Sequence, residues 1–218
     1  MTQFRPTRFE VLPPIIKNLL IINGLVFLAQ NTFAGPTSSF SFEDYFALHA
    51  WQSDLYKPWQ LITHMFLHGD FSHILGNMFA LWMFGSILEN VWGPKRFLLF
   101  YMLCGVGAAI IHLAILSYQL VPLTSQYDRL LNSATLGASG AVFGILIAFV
   151  YLFPNTYIYI YFLFPVKAKW LGIAYFAFEL YKGIENSAGD NVARWAHVGG
   201  AIIGFILVYI WKKKGTSS

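Results

Sequence analysis

The residues with chemical capacity sit in two glycine-rich stretches. Leu136-Gly-Ala-Ser-Gly-Ala-Val-Phe-Gly144 centres on Ser139, flanked by Gly137 and Gly140. Trp195-Ala-His-Val-Gly-Gly-Ala-Ile-Ile-Gly204 carries His197 one helical turn before Gly200. Gly140 and Gly144 form a small-xxx-small pair, and Gly200 and Gly204 repeat the spacing, a pattern that lets two helices approach at backbone contact. One helix then offers a hydroxyl and the other an imidazole, the minimum parts of a nucleophile–base pair. His197 would take the proton of Ser139 as the oxygen attacks a carbonyl, and return it to the leaving amine.

Two further residues fit the same chemistry. His73 and Asn77 are four apart and share a helical face. With the backbone N–H of Ser139 they make a set of donors for a developing oxyanion. Phe143, one turn beyond Ser139, is placed to fix the plane of the His197 ring. Asp190 reads as a loop residue and no acidic residue reads as lying on a span face, so a Ser–His dyad is expected. Each residue alone has an ordinary reading: Ser139 as packing, His73 and Asn77 as interhelical hydrogen bonds, the glycines as helix contacts. Their convergence at one depth is what turns packing into chemistry.

The elements that position them are set by composition. Of 218 residues, 57% are hydrophobic and 11% charged, against about 25% charged in an ordinary soluble domain. The expected class is therefore all-α, a polytopic membrane protein with the lipid bilayer as its surroundings. Spans are expected near 18–34, 71–91, 97–118, 136–153, 170–182 and 195–211. Residues 1–17 form a basic arm and 212–218 a basic tail, leaving 18–211 as the six-helix domain. A signal peptide ending near Gly35 is disfavoured, because the run is long and holds Asn23 and Gln30. Residues 35–71 mix aromatic and acidic side chains and are expected to be a long first loop with short helices at the lipid interface. Gly93-Pro-Lys-Arg96 reads as a turn, and Tyr157 to Phe164 as a surface stretch too short to span. The single cysteine, Cys104, rules out an intramolecular disulfide.

Charge sets the orientation. Arg5, Arg8, Lys17, Lys95, Arg96, Lys167, Lys169 and Lys212 to Lys214 fall on one side, against Lys57, Arg129, Lys182 and Arg194 on the other. The positive-inside rule puts both termini in the cytoplasm. Ser139 and His197 then open toward the outer face, although 58 residues separate them. The net charge of +4 is spent on this asymmetry and does not point to nucleic acid. His64 and His68 have the i, i+4 spacing of metal ligands, but no acidic or cysteine ligand accompanies them within a span. They are expected to tie the loop to the second span by hydrogen bonds, with no metal and no cofactor.

These residues resemble the rhomboid family of intramembrane serine proteases over nearly the whole chain. The resemblance is carried by Ile22-Asn-Gly-Leu-Val-Phe27, Trp59 through Gly69, His73-Ile-Leu-Gly-Asn77, Gly85 through Glu89, Gly137-Ala-Ser-Gly140 and Ala196-His-Val-Gly-Gly200. It implies a six-helix rhomboid bundle, Ser139 as nucleophile, His197 as base, Asn77 and His73 at the oxyanion, and transmembrane proteins as substrates. It also implies that the fifth helix and residues 186–194 gate substrate entry. A simple prokaryotic form in the cell membrane is expected. Two positions depart from the family: Gln60 replaces a frequent Arg after Trp59, which would weaken loop anchoring involving Glu89, and Phe143 replaces a frequent Tyr. Two other readings compete: a non-catalytic rhomboid-like protein that binds transmembrane clients, and a small transporter, for which no inverted repeat is seen.

Overall fold

Inside lipid, a chain must satisfy its backbone polar groups by itself, and a run of helices is one of two ways to do so. The computed structural model of this protein describes residues 9–33, 41–120, 122, 127–160, 163–185 and 191–213. Arg5, Arg8, Lys214 and residues 186–190 lie outside the described residues. The first helix, α1 (Pro14–Phe33), starts four residues before the sequence pattern suggested. Pro14 opens it because its fixed φ suits a first helical position, and its missing N–H is one the helix could not have paired. The next two donors, the N–H groups of Ile15 and Ile16, are each held at 2.9 Å by the carboxylate of Glu89.

Residues 41–70 form a loop with short helical pieces. Helix α2 (Phe42–Phe46) is capped by Ser41, whose hydroxyl accepts from the Asp44 N–H at 3.1 Å. Helix α3 (Gln60–Thr63) runs into a single 3₁₀ turn at His64–Phe66. Gln60 is fully buried and organises the loop. Its side-chain oxygen accepts from the N–H groups of His49 and Lys57, while its amide nitrogen donates to the carbonyls of Asp44, Tyr45 and Leu55. Glu89 takes no part in this anchoring, since it is occupied at the start of α1. An uncharged amide suffices here because its partners are backbone groups of both kinds, which a guanidinium, a donor only, could not match.

Helix α4 (Phe71–Ala80) is capped by Asp70, which accepts from the His73 N–H at 2.8 Å. It passes through a π turn (Leu81–Gly85) into α5 (Ser86–Trp92), so that 71–92 forms one apolar run. Gly93, at φ +79°, breaks the chain, and Pro94 at once starts α6 (Pro94–Gln119). The Pro-Lys-Arg expected to be a turn is therefore the first turn of a helix. A short α7 (Tyr127–Leu131) precedes α8 (Ser139–Leu152). The aromatic stretch that follows departs from the all-α expectation. β1 (Tyr157–Ile160) pairs antiparallel with β2 (Phe164–Lys167), Tyr157 lying opposite Lys167. Aromatic and β-branched residues in alternation favour the pleated form. Helix α9 (Ala168–Glu185) comes next, and α10 (Asn191–Lys213) begins in the stretch expected to be loop.

Four helical runs are long and apolar enough to cross a membrane: Pro14–Phe33, Phe71–Trp92, Pro94–Gln119 and Arg194–Lys213. Helix α8 is strongly apolar but has 14 residues, a length of about 21 Å against a hydrocarbon layer of about 30 Å. Helix α9 carries Lys169, Glu179 and Lys182 among its apolar residues.

At the centre, α10 packs on both α8 and α6, and α8 packs on α6. The glycines explain how three helices meet there. A Cβ on Gly200 would run into the carbonyl of Gly140, and one on Gly204 would lie 2.6 Å from the Gly144 Cα. Toward α6, a Cβ on Gly140 would come 2.7 Å from the Ala108 methyl, and one on Gly144 would press on Cys104. Helices α8 and α10 thus touch backbone to backbone, leaving no room for a single methyl group. Gly200→Ala is expected to destabilise the bundle by about 1–3 kcal/mol through overpacking. Thermal unfolding in detergent tests this, and an unmoved midpoint would mean that the two helices part easily.

Candidate active site

Ser139 is the first residue of α8, and helix geometry leaves the N–H groups of a first turn without intrahelical partners. The turn that delivers it depends on Gly137, at φ +125°, a conformation that L side chains rarely adopt. The same glycine lets the chain pass close to His73: a Cβ there would lie 2.8 Å from the His73 Nε2. A hydrogen bond from the Gly137 N–H to the His64 carbonyl, 2.8 Å, fastens this turn to the 3₁₀ segment of the loop.

The serine meets the histidine across the α8–α10 contact. His197 Nε2 lies 2.8 Å from Ser139 Oγ. The Phe143 ring stacks on the imidazole at 4.4 Å between centroids and 11° between planes, and Tyr175 of α9 packs against Phe143 at 4.9 Å. The backbone thus fixes the separation of the pair, and a flat aromatic contact fixes the tilt of the ring.

Asn77 and His73 join the pair as walls of one cavity of about 540 Å³, which Ser139, Phe143 and His197 also line. The Asn77 amide nitrogen is buried and has no hydrogen-bond partner. Its side chain lines the cavity, where an amide N–H can meet a carbonyl oxygen. The rest of the cavity is largely apolar, with Met83, Phe84 and Leu146 among its walls.

An acidic residue also reaches the site, which corrects the expectation that none lies on a span face. Glu179 of α9 places Oε2 3.0 Å from His197 Nδ1 and 3.6 Å from an Arg194 nitrogen. It sits in the fifth apolar segment between Phe178 and Leu180. A carboxylate inside such a segment is itself the signal that should have singled it out.

The remaining histidines are placed differently. His64 is buried, with Nδ1 2.8 Å from the Gln60 carbonyl, and His68 sets its ring edge-on to His73 at 5.0 Å. The His68 backbone N–H donates to Gln30 of α1. Among the described residues no group of three or more metal-ligating side chains comes together. His112 of α6, absent from the sequence-based candidates, is buried and lies 3.0 Å from Thr135, two residues before the Gly137 turn. Thr135 in turn pairs with Leu48 by a backbone bridge, joining the loop, α6 and the serine turn in one polar seam.

Fold and site together define a helical membrane protein with a serine–histidine pair facing a largely apolar cavity. Comparison with known proteins takes this a step further: residues 56–214 match the Rhomboid domain model, and the chain belongs to the rhomboid family. It is 32% identical over 186 residues to RHOMBOID-like protein 6, mitochondrial, of Arabidopsis thaliana, covering 84% of this chain and 53% of the relative. It is 35% identical over 161 residues to Rhomboid protein 1, mitochondrial, of Saccharomyces cerevisiae, covering 69% and 40%. Rhomboid protease AarA of Providencia stuartii is 30% identical over 209 residues, covering 87% and 69%. The chain spans about half the length of the first of these relatives.

Two outcomes follow from this geometry. Gly137→Ala is expected to lose Ser139 reactivity toward a fluorophosphonate by at least about tenfold, because the methyl forces the turn away from His73. Wild-type labelling of that variant would remove the turn from the account. Burial also pushes the imidazoles of His64 and His68 down from 6.5 to about 4. The unfolded chain therefore takes up these protons first as pH falls, so their contribution is complete above about 6.5 and lost toward about 4. Melting temperature in detergent should fall across that window, and a His64→Gln/His68→Gln double variant should show a shallower slope.

Proposed function

We propose that this protein is an intramembrane serine endopeptidase that cleaves single-span membrane proteins within or beside their spans. The observation that carries the reading is the 2.8 Å contact between Ser139 Oγ and His197 Nε2 in a cavity walled by Asn77 and His73. Family membership and the protease-named relative support the same activity.

In this reading Ser139 attacks the scissile carbonyl carbon while its proton passes to His197 Nε2. The carbonyl oxygen takes up negative charge and is met by the Asn77 amide, His73 and the Ser139 backbone N–H. As the tetrahedral intermediate collapses, the C–N bond breaks, His197 gives the proton to the leaving amine, and an acyl-serine remains. A water molecule activated by the same imidazole then releases the acid. The hydrolysis so written calls for no metal or cofactor. Gly137, Gly140, Phe143, Gly200 and Gly204 serve it indirectly, by fixing where the hydroxyl and the imidazole stand.

The reading extends to placement. Residues 18–211 act as a six-span domain in which α8 and α9 cross with the four longer runs, and 1–17 and 212–218 lie in the cytoplasm. The charge asymmetry along the sequence supports this orientation, with the cavity opening to the outer face of what we take to be a prokaryotic cell membrane. The segment from α2 to the 3₁₀ turn then rests at the interface, and α9 borders the route of entry.

In liposomes with a model single-span substrate, wild type is expected to cut, while Ser139→Ala and His197→Ala do not. Asn77→Ala is expected to slow cleavage by a factor of about ten to a thousand, the scale of losing one oxyanion donor. Cutting by Ser139→Ala at the wild-type rate would assign the nucleophile elsewhere. Binding of several such substrates with cleavage of none would favour a client-binding protein instead.

A further inference from the structure

His197 is held at both ring nitrogens. Nε2 faces Ser139 at 2.8 Å, and Nδ1 faces Glu179 Oε2 at 3.0 Å. The Glu179 side chain is 7% exposed, so its partners decide its role more than solvent does. One of them is Arg194, 3.6 Å away, near the start of the helix that carries His197. The glutamate thus bridges α9 to α10 beside the reacting pair.

An ionised carboxylate accepts hydrogen bonds and does not donate them. Facing Nδ1, it selects the tautomer with the proton on Nδ1 and leaves the Nε2 lone pair directed at the serine hydroxyl. We infer that Glu179 is a positioning residue for the hydrolysis, fixing the tautomer of His197 and steadying the imidazolium that forms while Ser139 is acylated. The inference rests on the Ser139–His197 reading above and turns the expected dyad into a chain of three groups.

The protons are accounted for as follows. Before attack, one proton is on Nδ1 and one on Ser139 Oγ. When the C–O bond forms, the serine proton moves to Nε2, and the cationic ring keeps its Nδ1–H donated to Glu179. When the C–N bond breaks, the Nε2 proton leaves with the amine, and the ring returns to the Nδ1–H form. Glu179 stays ionised throughout, as in the general logic of a serine triad. Among the described residues, the other titratable or charged groups around the pair are His73 of α4, His112 of α6, Tyr175 of α9 and Arg194 of α10. Glu179 supplies the negative charge in that set.

The test uses the full chain in liposomes. Glu179→Gln preserves size and polarity and removes the charge. It is expected to lower kcat by about ten- to a thousandfold with KM within about twofold, since it acts on the reaction and not on substrate binding. Glu179→Asp should restore part of kcat. A fully active Glu179→Gln, or a loss spread equally over kcat and KM with no rescue by Asp, overturns the role and leaves Glu179 as packing.

Fluorophosphonate labelling of Ser139 separates this failure from that of the parent reading. Wild type without label sinks the nucleophile and this inference together; a labelled wild type with an unaffected Glu179→Gln sinks the inference alone. If the variants do not fold, ¹⁵N spectra of His197 in the wild type decide. A protonated Nδ1 with a bare Nε2 at neutral pH supports the glutamate's role, and the reverse tautomer overturns it.

Discussion

The rest of the structure depends on the backbone contact between α8 and α10. Lipid tails are as apolar as leucine, so helices in a membrane gain little by hiding apolar side chains from their surroundings. What holds them is close van der Waals approach, and here Gly140, Gly144, Gly200 and Gly204 reduce that approach to main chain on main chain. Such a contact has no rotamers to order. Ser139 and His197 each leave their helix beside it, so the distance between hydroxyl and imidazole is inherited from backbone geometry. The three-way packing of α6, α8 and α10 then stiffens the contact from behind.

Around that seam the polar groups are arranged in layers. The reacting pair stands in front, and the unmet Asn77 amide faces the same cavity. Behind the serine turn come His64, His112 and Thr135, which join it to the first loop. Burial of His64 disfavours a charge beneath the site, so this layer works as neutral hydrogen-bonding framework. Glu179 and Arg194 close the arrangement from the α9 side.

Much of this could be read in the sequence, for physical reasons. Ser139, His197 and the glycine pairs were legible because small-residue spacing is a property of single helices and survives without any knowledge of the fold. His73 and Asn77 were legible because four residues are one helical turn. Glu179 was marked only as a carboxylate inside an apolar segment, and no periodicity links it to His197 on the next helix. Helix starts were misjudged at α1 and α10, where apolar runs mark the lipid-facing length and not the first hydrogen-bonded residue. The β1–β2 hairpin escaped notice because a short aromatic run fits either a strand or an interfacial segment.

Gln60 carries a consequence of another kind. The loop beside the site is held by five hydrogen bonds from one neutral amide, sealed from solvent. An anchor made of charge would feel ionic strength and the surface potential of the leaflet next to it. An amide feels neither. This anchor of the loop beneath the serine turn is thereby indifferent to the charge of whatever surrounds it.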